Sequence, residues 1–408
     1  MNDLLEVPRS KYFYGWVIVA VCTLMLAIAY GLIYSYSVFF KPLAEHFNWD
    51  RATVSGVYSA SLVIRGGFSI FVGWLADRYG PVKITVFCGF MIGLGLLLTS
   101  QVSELWQLYA AYAIIEAIGL SGAFGIATAV TSRWFTRNRG FALGIVSSGV
   151  GVGTLLIVPG AERLIKIFNW SEAYLIFGII SGVVMIAIAF LLKTSPYNIQ
   201  PNKSSSLQTP QVEISLGKAI RSPKMILLIL VFGFIFFCVQ MIIVHLYNYA
   251  TDIGIDPLIA ASLVATIGVL SIAGRLIMGF GSDKLGNFNI LIICCTLLIV
   301  SFVLLIFAKS LWVLYIFAVL FGFAYGGEVP QIPLFLGKFF GTKALAALTG
   351  VILFVSNIGG ALGPLIAGKI FDLDASYKWA FILGAVIGLG SLSIALVLKR
   401  QGQEITRG

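Results

Sequence analysis

Five ionisable residues stand deep inside long apolar stretches of this 408-residue chain: Arg65, Glu116, His245, Arg275 and Glu328. Side chains of this kind are rare in such surroundings and by default mark a path for substrate or protons. Arg275 is the sharpest case. It falls in "SIAGRLIMGFGSDKLG" (271–286), eight residues before Asp283, so a helix would put it roughly 12 Å above the end of its run and close to the middle. An isolated arginine there costs at least about 3 kcal/mol and is tolerated only beside water or a partner anion. Its guanidinium never loses its proton, and its planar fork matches a carboxylate with two parallel hydrogen bonds. These residue types point to anion binding, with a structural ion pair to Glu328 as the alternative.

The elements that must hold these groups follow from composition. Hydrophobic residues make up 59% of the chain and charged ones only 11%, with a mean hydropathy of +0.99. A soluble domain of this length could not carry that without aggregating. Runs long enough to cross a bilayer, about 20 residues each, can be placed at 15–40, 53–75, 83–101, 107–132, 140–165, 173–193, 224–250, 258–281, 288–308, 311–336, 345–370 and 378–398. The expected fold class is an all-α membrane protein with twelve transmembrane helices. With both termini cytoplasmic, the Lys and Arg residues outside the membrane core divide as eighteen inside against seven outside. That favours this orientation, in a cell (inner or plasma) membrane. The net charge of +10 is explained by this bias and by attraction to anionic lipid head groups, so no nucleic-acid partner is inferred. The five cysteines, Cys22, Cys88, Cys238, Cys294 and Cys295, all fall in apolar spans and read as small hydrophobes, not as a metal site or disulfide framework. No cleavable signal peptide is expected at the N-terminus.

"KTSPYNIQPNKSSSLQTPQVEISLGKAIRSPK" (193–224) reads as a cytoplasmic linker between two sets of six spans. The expected organisation is an N-terminal six-helix bundle over 1–193, a linker over 194–222, a C-terminal six-helix bundle over 223–400 and a cytoplasmic tail over 401–408. The halves echo each other. "GWLADRYG" (73–80) returns as "GFGSDKLG" (279–286), "VSSGVGVGTLL" (146–156) as "VSNIGGALGPL" (355–365), and Trp170 as Trp379. Two pseudo-symmetric bundles of this kind are the signature of a transporter that rocks one half against the other around a midplane site.

The joint "GWLADRYGPVK" (73–83) resembles the signature loop of the major facilitator superfamily. A narrower resemblance, to the monocarboxylate transporters and their bacterial relative the oxalate/formate exchanger, rests on "FYGW" (13–16), "YSVFFKPLAEHFNWDRATVS" (36–55), "RWFTRNRGFALGIVSSGVGVG" (133–153) and "NYATDIGI" (248–255). By that resemblance Asp77 and Arg78 form a cytoplasmic latch with a counterpart at Asp283, and Arg275 is the carboxylate anchor. The chain departs from the animal members of the family at two places. Tyr34 stands where they carry a lysine, and Ser271 where they carry an aspartate. Span 11 also lacks the second cation of the oxalate exchanger until Lys369, so one central cation is expected, which suits a monoanion.

Around Arg275, Ser271 should lie one turn away on the same helix face. Tyr34, Tyr325 and Asn357 offer polar groups to a substrate, and Phe124 and Leu32 could line an apolar subpocket. Arg65, about 18 Å above Asp77 on a helix, is expected in the outer half as a gate residue, a second substrate charge or a partner for Glu116. His245 and Glu328 are the candidate proton carriers.

"GPLIAGKI" (363–370) nearly spells a phosphate-binding loop, but Ile370 stands at the magnesium-ligand position and the stretch is a membrane span. No metallopeptidase, hydrolase or zinc-ligand spacing occurs, so no enzyme activity, cofactor or metal is expected. The expected function is symport of a short-chain monocarboxylate such as L-lactate or pyruvate with a proton, by alternating access, with a monomer as the default unit. The alternative is a carboxylate exchanger resembling the oxalate/formate antiporter.

Overall fold

The computed structural model describes residues 14–135, 139–193, 219–340 and 345–404, with the side chains of 139, 140, 283, 345–347 and 402–404 also outside that description. Linker residues 194–218 and the last four residues of the tail, 405–408, lie outside the described residues.

Among the described residues, twelve helices are long and apolar enough to cross a membrane. They are α1 (Gly15–Phe47), α2 (Arg51–Tyr79), α3 (Pro81–Thr99), α4 (Leu105–Trp134), α5 (Arg139–Ile167), α6 (Trp170–Ala189), α7 (Pro223–Asp252), α8 (Pro257–Leu285), α9 (Asn287–Phe307), α10 (Leu311–Phe340), α11 (Leu345–Asp374) and α12 (Lys378–Glu404). Several extend past the apolar runs because their starts are capped by polar residues one step outside the hydrocarbon. Asp50 accepts from the Thr53 N–H, Asn169 from Glu172, Ser222 from Met225, and Asp256 from Leu258 and Ile259. Each satisfies N–H groups that the first turn leaves without partners. The repeated joints end helices in the same way. Gly80 and Gly286 take φ of +92° and +81°, a conformation costly for any residue with a side chain, and each closes one helix and opens the next.

The helices form two six-helix bundles, α1–α6 and α7–α12, packed by matching pairs. In the first, α1 lies on α5 and α3 on α6; in the second, α7 lies on α11 and α9 on α12. Glycines bring the helices of the α1–α5 and α7–α11 pairs close. A Cβ on Gly153 would run into the Ala27 carbonyl of α1, and one on Gly359 would lie 2.7 Å from the Gly233 carbonyl of α7. Small residues let the backbones approach where van der Waals packing, not water exclusion, holds helices together. Between the bundles, α5 crosses α8 and α2 crosses α11. At the first crossing a Cβ on Gly151 would sit 2.6 Å from the Gly268 carbonyl. Large apolar side chains such as Leu156, Phe280 and Phe307 are exposed on the outer surface, as lipid-facing helices require.

Two spans are irregular. In α4 the turns over Tyr109–Glu116 widen to a π-helical pattern that ends on Glu116. In α10 the helix breaks after Glu328, at the turn that holds Pro330. π-helical turns inside helices are frequent at functional sites.

Candidate functional site

Arg275 sits ten residues from the Leu285 end of α8, about 15 Å along the axis. Its side chain is half-buried. Nη1 donates to the Ser147 carbonyl of α5 at 2.8 Å, across the bundle interface. Nε is buried with no hydrogen-bond acceptor, and the guanidinium lies over the Tyr325 ring, 5.8 Å from its centre. An unmatched donor at this depth costs free energy until an acceptor reaches it. Glu328 does not supply one, and the structural pair with Arg275 is absent. Both Glu328 oxygens are buried without partners, and the charged and sulfur groups in its electrostatic reach are Cys238, Cys294 and Cys295.

Arg65 differs from its expected depth. It stands fourteen residues from either end of α2, at the centre of the helix and not in the outer half, because α2 runs to Tyr79 and starts at Arg51. Its guanidinium donates to the Ser61 carbonyl at 3.3 Å and Oγ at 3.4 Å, and lies 5.6 Å from the centre of the Tyr58 ring. No ion pair joins it to Glu116 among the described residues, although the two are in electrostatic reach. Tyr30 of α1 lies in the field of both Arg65 and Arg275. The centre therefore holds two arginines, one from each bundle, where the sequence leads one to expect a single cation.

The tyrosines close this space. Tyr34 and Tyr325 share a hydroxyl–hydroxyl hydrogen bond of 2.7 Å between α1 and α10. Phe124, partly exposed, packs edge-on against Tyr30 with ring centres 6.5 Å apart and gives an apolar wall. Asn357 of α11 faces Gly66, next to Arg65, and its Nδ2 donates to Leu353 within its own helix at 2.9 Å. Ser271 and Leu32 are both buried in the helix packing. The Ser271 hydroxyl is fully buried and donates to Gly268 within α8, and its own carbonyl is met by Gly326 of α10, so its hydrogen is spent although it shares the Arg275 face. Leu32 is packed into the core. Tyr30 is the central residue that sequence reasoning misses, although it precedes Tyr34 by one turn and shares its face.

At the face away from the chain termini, polar groups tie the bundles together. Arg51 pairs with Asp252 at 2.7 Å, donates to the Tyr377 hydroxyl at 2.5 Å and stacks 3.6 Å over Phe371. Lys41 also reaches Asp252, at 3.4 Å. Tyr247 donates to Glu162 at 2.5 Å. His245, fully buried, is 2.9 Å from the Tyr377 hydroxyl through Nδ1, and through Nε2 is 2.9 Å from the Pro364 carbonyl and 3.2 Å from Ser55 Oγ. Both ring nitrogens are thus engaged, Nδ1 within the second bundle and Nε2 both within it and across to Ser55 of the first. Among the described residues, both ion pairs that join the bundles lie at this face. At the opposite face Asp77 takes Arg133 of α4 as its partner at 2.5 Å, while Arg78 lies over Trp74 and Tyr79 of its own helix. The expected Asp77–Arg78 latch is therefore an Asp77–Arg133 pair within one bundle. The side chain of Asp283 lies outside the described residues.

Two pseudo-symmetric bundles with a cationic centre agree with the family comparison. The model of the Major Facilitator Superfamily matches residues 20–309 and 289–406. The chain belongs to the major facilitator superfamily. Its members are transport proteins and not enzymes. Among curated relatives, Monocarboxylate transporter 13 of Rattus norvegicus is 25% identical over 94% of this chain and 89% of its own length. The Oxalate:formate antiporter of Oxalobacter formigenes is 25% identical over 96% of this chain and 93% of its own. Among solved structures, a bacterial homologue of the human lysosomal transporter Spinster, inward-facing and unoccupied, superposes with a TM-score of 0.75 at 17% identity, covering 96% of this chain and 98% of that one. The nucleoside transporter NupG, solved as a point mutant, gives 0.74 at 12% identity, covering 93% and 99%. These last two share the fold.

Proposed function

We propose that the chain carries a short-chain monocarboxylate such as L-lactate or pyruvate, with a proton, by alternating access. The observation behind this reading is Arg275, a half-buried cation near mid-membrane with an unmatched Nε and, among the described residues, no carboxylate paired with it. A carboxylate supplies the missing acceptor and charge. Tyr34 and Tyr325 can turn their hydroxyls to it, and the Phe124 wall suits a short alkyl group. Relatives named monocarboxylate transporters support the substrate class. The excess of Lys and Arg on the side of the termini supports cytoplasmic termini. In that orientation the Arg51–Asp252 face is outside, and the structure is closed there. A single chain holds the whole path, so a monomer is the working unit.

A second reading is favoured by Arg65. Two central arginines could hold a dianion and exchange it for another carboxylate, as the name of the oxalate:formate relative suggests. Purified protein in liposomes with an internal pH dye separates the two. Symport predicts that L-lactate entry acidifies the interior. If labelled oxalate instead exchanges for formate with no pH change and lactate moves no protons, exchange is the function.

A further inference from the structure

Three buried acids and bases could carry the proton of the proposed symport, and the structure treats them differently. His245 is engaged at both nitrogens, by Tyr377 and Pro364 of its own bundle and by Ser55 of the other. Glu328 stands among Cys238, Cys294 and Cys295 with no cation in reach. Glu116 is 1% exposed, has both oxygens unpartnered, and has one cation in its field, Arg65.

We propose that Glu116 carries the coupled proton, and that its carboxylate and the substrate carboxylate compete for Arg65. This inference rests on the symport reading above. The wide turn of α4 ends on Glu116, and Gly95 lets the α3 backbone close behind it: a Cβ there would lie 2.6 Å from the Glu116 nitrogen. The groups that face it from the surrounding helices are Tyr36 of α1, Tyr58 and Arg65 of α2, Tyr112 of α4 itself and Tyr174 of α6. Arg65 is the one cation of that set. The Tyr174 hydroxyl is also buried without a partner.

Competition for Arg65 then supplies the coupling. With Glu116 ionised and drawn to Arg65, the empty centre holds Arg65, Arg275 and one carboxylate, a single net positive charge. A proton from water on Glu116 frees Arg65, and the substrate anion held by Arg275 bridges to it. The loaded centre again carries a single net positive charge. Proton alone leaves two unbalanced arginines in the low-dielectric interior, which opposes closure. Anion alone meets the ionised Glu116, which keeps Arg65 and repels the second carboxylate, so it is held by Arg275 alone and binds weakly. Only the empty form and the doubly loaded form cross readily, so each anion travels with one proton, which Glu116 returns to water on the far side.

The test uses liposomes containing the full chain as wild type, Glu116→Gln, Glu116→Asp and Glu328→Gln. Two readouts are compared: accumulation of labelled L-lactate driven by a pH gradient, and lactate counterflow with no gradient. Glu116→Gln is expected to lose accumulation at least tenfold while keeping most of its counterflow, and Glu116→Asp and Glu328→Gln to retain both. Accumulation by Glu116→Gln at the wild-type level overturns the proposal. Loss of counterflow together with accumulation also overturns it, since Glu116 would then be holding the site or the fold. If wild type moves lactate without protons, it is the symport reading itself that fails, and the wild-type arm shows this independently of the variants.

Discussion

Asp372, at the end of α11, accepts the backbone N–H groups of Arg51 and Ala52 at the start of α2, at 2.8 and 2.7 Å. One bundle thus supplies the anionic cap for a helix of the other. A carboxylate at a helix N-terminus gains both hydrogen bonds and the favourable end of the helix dipole. Breaking this contact should favour the state open on that face. Asp372→Ala is expected to shift the conformational balance by about 1 kcal/mol, or roughly fivefold. Spin labels at Glu45 and Leu373, exposed positions on the two bundles at this face, would report it as a growing long-distance population. An unchanged distance distribution would show that the cap does not set the balance.

The α5–α8 crossing should tolerate no side chain at its centre. Gly151→Leu would force the helices apart where a Cβ already meets Gly268 and Ile272, an overpacking cost of about 1–3 kcal/mol. Gly144→Ala is the control: the nearest atom to a Cβ there is 3.9 Å away, on Leu276 of α8. Transport by Gly151→Leu should fall at least tenfold while Gly144→Ala stays near wild type. Equal activity of the two would remove the crossing from the account.

Much of this frame is legible in the sequence, for a local reason. Hydropathy over 20 residues and the Asp-cation-turn-Gly joint are short-range signals, and the spans and the bundle symmetry follow from them. Depth is less secure. The sequence puts Arg65 too far out because the polar ends of α2, Arg51–Ala52 and Ala76–Tyr79, do not look apolar although they are helical. What joins the two halves is not legible. Asp372 is 321 residues from Arg51, and charges at helix ends look the same whether they meet water or each other. Ser271 shows the limit of one-turn spacing, which names a face of the helix but not the neighbour against it.

The Asp77–Arg133 pair should matter little to stability. Both side chains are substantially exposed, at 66% and 47%, and such pairs are worth at most about 1 kcal/mol. Asp77→Asn should lower the unfolding temperature only slightly, and Asp77→Arg combined with Arg133→Asp should restore whatever is lost. A large loss that the double variant fails to rescue would mean that Asp77 has another partner during the cycle.

Asp50 offers a pH-dependent contribution outside the membrane core. Hydrogen bonds from Thr53, side chain first and then backbone, hold its carboxyl below the ordinary carboxylate range. A group lowered in the folded state adds stability above its unfolded pKa, about 3.9 for aspartate, and loses it as the pH falls through the folded value. Asp50→Ala should cost about 1 kcal/mol at neutral pH, with the gap to wild type closing on strong acidification. Thermal unfolding in detergent at the two pH values measures this, and a gap that persists in acid would contradict the cap.

The central claim is that Arg275 holds the substrate carboxylate. The most direct measurement is uptake of labelled L-lactate into liposomes under an inward proton gradient, with equal amounts of wild type, Arg275→Lys and Arg275→Ala. The account predicts uptake by wild type and loss of at least tenfold in both variants, the lysine included, because a single ammonium cannot reproduce the planar fork. Undiminished uptake by Arg275→Ala would make the arginine structural and would contradict the site.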